Sequence, residues 1–204
     1  MKYIKMFESY EKFSDACRDG DLNTVIEFIE NKKVDVNNIN KYGYSSLILA
    51  ADNNRFDVVK YLIEKGADVN LKGHAEFSPL SSIVNEKRLN EEGFKIFELL
   101  LDQPNIDIES RSQYGSTPLI LAVENLKRKD HIQSDDNFNL ELRLNVIKNL
   151  LDKGANLYAK DYNFKSEPND DGLDVFDIAN KSDYNYVNKY KNQILSILNK
   201  YKNI

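Results

Sequence analysis

Histidine and cysteine, the side chains best suited to act as base, nucleophile or zinc ligand, are few in this chain and stand far apart. The imidazoles are His74 and His131, separated by 57 residues, and neither has a cysteine or second histidine at the spacing zinc requires. Cys17 is the sole thiol, so no internal disulfide can form. It falls on the apolar side of a helical stripe, where a cysteine serves as a small buried hydrophobe rather than a nucleophile. The paired carboxylates Asp135-Asp136 and Asp170-Asp171 lack the alternating oxygen ligands and central glycine of a calcium loop. No G-x-x-x-x-G-K-[ST] run is present to cradle a phosphate, and no G-x-S-x-G turn to raise a serine. The expectation is a protein that is not an enzyme and holds no metal or cofactor.

Charge and composition narrow the partners. Of 204 residues, 41% are hydrophobic and 30% charged, enough apolar chain to bury a core. The net charge of −5 comes from acids and bases interspersed along the chain, without the basic footprint that nucleic acid or an anionic membrane demands. That balance favours a protein partner with a neutral or basic surface. Charges break every apolar run at the start, Met1-Lys2-Tyr3-Ile4-Lys5-Met6-Phe7-Glu8, so no signal peptide is read there. Apolar runs such as Leu119 to Val123 are too short to span a membrane. With a single cysteine, a cytoplasmic setting is expected. Heavy use of Asn, Lys, Ile and Tyr resembles proteins of AT-rich genomes.

The elements that would position any site are repeated ones. Lys65-Gly66-Ala67-Asp68-Val69-Asn70 returns as Lys153-Gly154-Ala155-Asn156-Leu157 and, more loosely, as Lys33-Val34-Asp35-Val36-Asn37. Tyr42-Gly43-Tyr44-Ser45-Ser46-Leu47-Ile48-Leu49-Ala50-Ala51 matches Tyr114-Gly115-Ser116-Thr117-Pro118-Leu119-Ile120-Leu121-Ala122, with Phe77-Ser78-Pro79-Leu80 between them. Leu47 to Leu80 is 33 residues, as is Val36 to Val69; Leu80 to Leu119 is 39, one period plus six. Each unit reads as a turn followed by two short antiparallel helices. Gly43 and Gly115 suit the turn. Thr117 caps the first helix and Pro118 takes its first position, where a missing N–H costs nothing. Val58, Val59, Leu62 and Ile63 line one side of the second helix, and Gly66 or Gly154 ends it. One such unit cannot bury its apolar face alone; stacking closes the core.

The period, the T-P-L-x-x-A run from Thr117 to Ala122 and the G-A-D-V-N ending at Gly66 to Asn70 together resemble ankyrin repeats. The resemblance runs from about Phe13 to the C-terminus and suggests a small stand-alone array, bacterial or viral in character. It implies an all-α solenoid of about five helix-pair repeats joined by short β-hairpin turns, forming one domain over residues 1–204 with units near 1–39, 40–72, 73–111, 112–159 and 160–204. Terminal capping helices are expected from the stripe Tyr3, Phe7, Tyr10, Phe13 and Cys17 and from Val187, Tyr190, Ile194, Ile197, Leu198 and Tyr201. Glu76 stands where the family has its turn glycine, which predicts a distorted third hairpin. Insertions are read near Glu86 to Gly93, Leu126 to Leu142 and Lys165 to Gly172.

Function follows from the same register. In ankyrin-like stacks the hairpin tips and the exposed side of the first helices line a concave protein-binding face. Here that face would carry Lys41, Tyr42, Tyr44, Asp52 and Asn53 in the second unit. The third would add His74, Phe77, Asn85 and Glu86, and the fourth Gln113, Tyr114, Ser116, Glu124 and Asn125. Turn positions are normally polar, so Tyr42, Tyr44, Phe77 and Tyr114 stand out; tyrosine brings large contact area at little rotamer cost. The rings either recognise a partner or pack hairpin against hairpin, and the long 126–142 insertion is a second place a partner could bind. The expectation is a monomeric adaptor or scaffold. An inhibitor, such as an immunity protein or antagonist of an enzyme or defence protein, is the alternative.

Overall fold

The computed structural model describes residues 2–85, 89–126, 137–161, 172–180 and 188–202, with side chains masked at 2–8, 137–139 and 188–189. Among these residues there are ten α-helices and no strand, only the isolated antiparallel bridges Ile39–Ser45 and Asp161–Leu173. The chain has the all-α repeat architecture that its sequence suggested. Five helix pairs follow in order: α1 (Lys2–Asp19) with α2 (Leu22–Glu30), α3 (Ser46–Asp52) with α4 (Phe56–Glu64), α5 (Pro79–Asn85) with α6 (Glu91–Leu101), α7 (Pro118–Asn125) with α8 (Asn137–Asp152), and α9 (Val175–Asn180) with α10 (Asn188–Tyr201). They fall into two compact units: residues 1–83 with 90–106, and residues 84–89 with 107–204.

Local sequence sets where the helices begin and end. Asp21, Ser45, Asn90 and Thr117 each accept a backbone N–H three residues on, satisfying a donor the first turn leaves free. Gly66 and Gly154 close α4 and α8 at φ +86° and +89°, a conformation that costs an L side chain about 1–2 kcal/mol. Ala67 N–H then donates to Leu62 O at 2.9 Å, and Ala155 N–H to Leu150 O at 3.0 Å.

In the first unit α1 packs on α2 and α3, and α4 packs on α2, α3 and α6. Phe13 and Cys17 of α1 are fully buried, as are Ala50 and Ala51 of α3, small residues that let the neighbouring helix approach closely. Val58, Val59 and Leu62 turn the apolar side of α4 inward. In the second unit α7 packs on α8 and α9, and α10 covers α8 and α9 through Ile194 and Leu198. Tyr3, Phe7 and Val187 of the two expected stripes lie outside the described side chains. One boundary differs from expectation: residues 137–142, read as insertion, open α8 instead. Leu142, Val146 and Leu150 are buried at four-residue steps, so the apolar stripe of α8 reaches back into the expected insertion as far as Leu142. The rest of that insertion and nearly all of Lys165 to Gly172 lie outside the described residues, as do His131, Asp135-Asp136 and Asp170-Asp171.

Candidate partner-binding site

Each repeat ends in a loop that hands over to the next hairpin, and that loop is built on side-chain oxygens. Asp35, Asp68, Asp107 and Asn156 each accept the N–H two residues on, at 2.9, 2.9, 3.0 and 2.9 Å. Three of the residues that donate those N–H groups, Asn37, Asn70 and Glu109, then reach the neighbouring repeat with their own side chains. Asn37 Oδ1 accepts Asp68 N–H at 2.7 Å, and Asn70 Nδ2 donates to Asn105 O at 2.7 Å in the first unit. In the second, Glu109 Oε1 accepts Asn156 N–H at 2.7 Å. Half-burial raises the Glu109 pKa, against the opposing pull of that N–H and of Arg111.

These rungs hold the hairpin tips that carry the candidate residues. The first tip is pinned by Asn40, whose N–H donates to Tyr44 O at 2.9 Å and whose side chain accepts from Tyr42 and Tyr44. Gly43, at φ +82°, makes the turn. Tyr42 leaves the tip 64% exposed. Lys41 lies 5.0 Å from the centre of the Tyr42 ring and pairs with Glu11 of α1 at 3.0 Å, which raises the lysine pKa through that hydrogen bond. Tyr44 is half-buried, stacked on His74 of the next hairpin at 5.6 Å and 23°.

That next tip has no turn glycine, and it is distorted as expected. A 3-10 turn over His74–Glu76 puts Ala75 at φ 56° and Glu76 at φ 59°, while Gly73 N–H still donates to Phe77 O at 2.9 Å. Phe77 is half-buried. Two further residues of the first unit serve the protein itself: Asp52 accepts from Ser82 Oγ at 2.6 Å, and Asn53 Nδ2 donates to Leu49 O at 2.8 Å to finish α3.

In the second unit Gln113 is exposed and Tyr114 is 44% exposed, its N–H held by Ser112 Oγ at 3.2 Å. Asn85 and Glu124 are half-buried. Two expected contacts turn inward. Ser116 is buried because its hydroxyl donates to the buried Asp161 at 2.7 Å. Asn125 is buried because its amide donates to Val84 O at 3.0 Å and Asn85 Oδ1 at 3.4 Å. Neither has surface to offer a partner. Glu86 lies outside the described residues.

Sequence reasoning passed over the residues that hold the tips. Arg111 donates to Gly115 O and Lys160 O, both at 2.7 Å, bracing the third tip. Asn40, Gly73 and Ser112 occupy one register position, each donating its N–H to the carbonyl four residues on, and Asp161 donates likewise to Leu173 O. Burial pushes the Cys17 thiol up to about 12, far from a thiolate at neutral pH. Among the described residues no three His, Cys, Asp or Glu side chains gather to hold a metal ion, and no helix is long and apolar enough to cross a membrane.

Comparison with known families decides the class. Ankyrin repeats (3 copies) match residues 14–73, and a further ankyrin repeat matches residues 114–162. This chain belongs to the ankyrin-repeat family. An ankyrin-repeat chain is a protein–protein interaction module, and the family is generally non-catalytic. Among relatives, alpha-latrocrustotoxin-Lt1a of Latrodectus tredecimguttatus is 48% identical over 65 residues, 32% of this chain and 5% of that protein. Palmitoyltransferase AKR1 of Kluyveromyces lactis is 43% identical over 65 residues, 31% of this chain and 9% of that enzyme. Neurogenic locus notch homolog protein 1 of Mus musculus is 35% identical over 87 residues, 43% of this ankyrin-repeat chain and 3% of that protein. The alignments thus span less than a tenth of each of these relatives.

Proposed function

We propose that this ankyrin-repeat chain is a cytosolic, monomeric adaptor that grips a partner protein with its hairpin tips and carries out no chemistry of its own. The observation that carries the reading is Tyr42, a large ring 64% exposed on a tip whose Tyr42, Gly43 and Tyr44 N–H groups are all hydrogen-bonded to Asn40. A ring held out in this way has area to bury on contact and little freedom left to lose. Tyr114 repeats the arrangement in the second unit. The contact set is Lys41, Tyr42, Tyr44, His74 and Phe77, with Asp52 and Asn53 at the edge, and separately Gln113, Tyr114, Asn85 and Glu124. The net charge of −5 favours a neutral or basic partner surface, and the single buried cysteine suits a reducing compartment.

The test is capture of partners from native lysate on the immobilised chain, identified by mass spectrometry, with variants run in parallel. Tyr42→Ala and Tyr114→Ala should each weaken capture by roughly 1–3 kcal/mol while Tm hardly moves. Leu62→Ala should do the reverse, removing about 2–5 kcal/mol of stability through the cavity left in the core. If the tyrosine variants melt early and bind normally once corrected for folded fraction, the rings are structural and the tips are not the binding site.

A further inference from the structure

We infer that Asn40 is the positioning residue of the binding face: it presets Tyr42 and Tyr44 for contact without touching the partner itself. The inference rests on the recognition reading above and adds the residue on which the first tip's affinity depends. Its basis is a difference between hairpins that share one register. Asn40 Oδ1 accepts two amide protons, from Tyr42 and from Tyr44, each at 3.0 Å. Asn40 O also accepts Gly43 N–H at 3.0 Å, so three backbone donors of the tip converge on one residue. At the same position the second hairpin has Gly73, with no side chain to offer, and its turn runs through left-handed Ala75 and Glu76. The third has Ser112, whose hydroxyl holds only Tyr114, at 3.2 Å.

Tyr42, the more exposed of the two outward tip rings, is therefore carried by the tip whose register residue holds the most backbone amides. The two amides flank Gly43, the residue free to visit the most conformations, so the side chain of Asn40 removes freedom where the sequence would otherwise leave it. A tip ordered before contact loses less entropy on binding than one that must order during it. Neighbouring contacts reinforce the geometry: Tyr44 stacks on His74, and the Lys41–Glu11 pair lies beside the Tyr42 ring.

The test uses the intact chain and its Asn40→Ala and Asn40→Asp variants. Asn40→Ala should speed hydrogen exchange at the Tyr42 and Tyr44 amides about fivefold or more, the scale of a lost hydrogen bond, leaving α3 and α4 amides unchanged. Asn40→Asp keeps an acceptor at the same place and should restore slow exchange. With native lysate as probe, Asn40→Ala should capture about fivefold less of whatever Tyr42→Ala loses, and Asn40→Asp should recover it. Unchanged exchange in Asn40→Ala overturns the inference. So does a loosened tip with undiminished capture, or accelerated exchange throughout residues 1–83, which would make Asn40 a folding residue. If Tyr42→Ala itself leaves capture intact, the recognition reading has failed first, and the exchange data separate that failure from a failure of Asn40 to order the tip.

Discussion

Glu109 shows how one side chain can depart from its repeat equivalents. Asn37 and Asn70 bridge to the next repeat with neutral amides, whereas Glu109 does so with a half-buried carboxylate. Burial raises its pKa in the folded state above the ordinary 4.5. A raised carboxylate pKa means the folded chain holds the proton more tightly than the unfolded chain. The stability linked to that proton is present below pH 4.5 and is lost as pH rises through the folded value. Glu109→Gln keeps the acceptor for Asn156 N–H and removes the charge. It should raise Tm at about pH 7 and leave it nearly unchanged at about pH 3.5, as a melting series across pH would show. A gain of equal size at both pH values would place the effect outside the carboxylate's ionisation.

At the scale of elements, the hairpins carry both the regularity and the strain of this chain. The first and third turns place glycine at the left-handed position, Gly43 and Gly115. The second puts Ala75 and Glu76 there, each with a Cβ that crowds the following carbonyl. Glu76 gives little back, since its ion pair with Lys72 spans 3.9 Å and its side chain is 62% exposed. Glu76→Gly should therefore stabilise the protein by roughly 0.5–1 kcal/mol after glycine's extra chain entropy is charged against it. Thermal melting checks the sign: a lower Tm would mean that the left-handed residue is supported by contacts beyond its own backbone. The helices show a different economy. α8 gains its first turns where the repeat pattern expects loop, because Leu142 continues the stripe of Val146 and Leu150.

For the molecule as a whole, stability comes from helix-on-helix burial within each unit, with side-chain rungs joining adjacent repeats. Nearest-neighbour contacts of this kind make stability nearly a sum over repeats and their junctions. The far-ultraviolet circular dichroism spectrum should be helical, and melting should be indifferent to excess chelator, since the core is apolar and the rungs are amide, carboxylate and backbone groups. Unfolding on chelation, or a stoichiometric metal in elemental analysis, would overturn the cofactor-free reading.

What the sequence determined by itself was whatever depends on short-range stereochemistry repeated at a fixed period. Gly43, Gly66, Gly115 and Gly154 adopt positive φ because only glycine does so cheaply. Ser45 and Thr117 cap, Pro118 opens α7, and Val58, Val59 and Leu62 turn inward because the helical period leaves them one common side. The repeat class followed from these, and even the distorted turn at Glu76 was legible from one missing glycine. Tertiary structure alone decided which polar side chains are spent inside the protein. Ser116 and Asn125 sit at positions that face outward by register, yet each finds an acceptor forty or so residues away and is buried by it. The four rings, alike in sequence, divide into exposed Tyr42 and Tyr114 and half-buried Tyr44 and Phe77. Periodicity reports which way a side chain leaves its own element; what it meets there depends on a neighbour that folding, not sequence spacing, brings alongside.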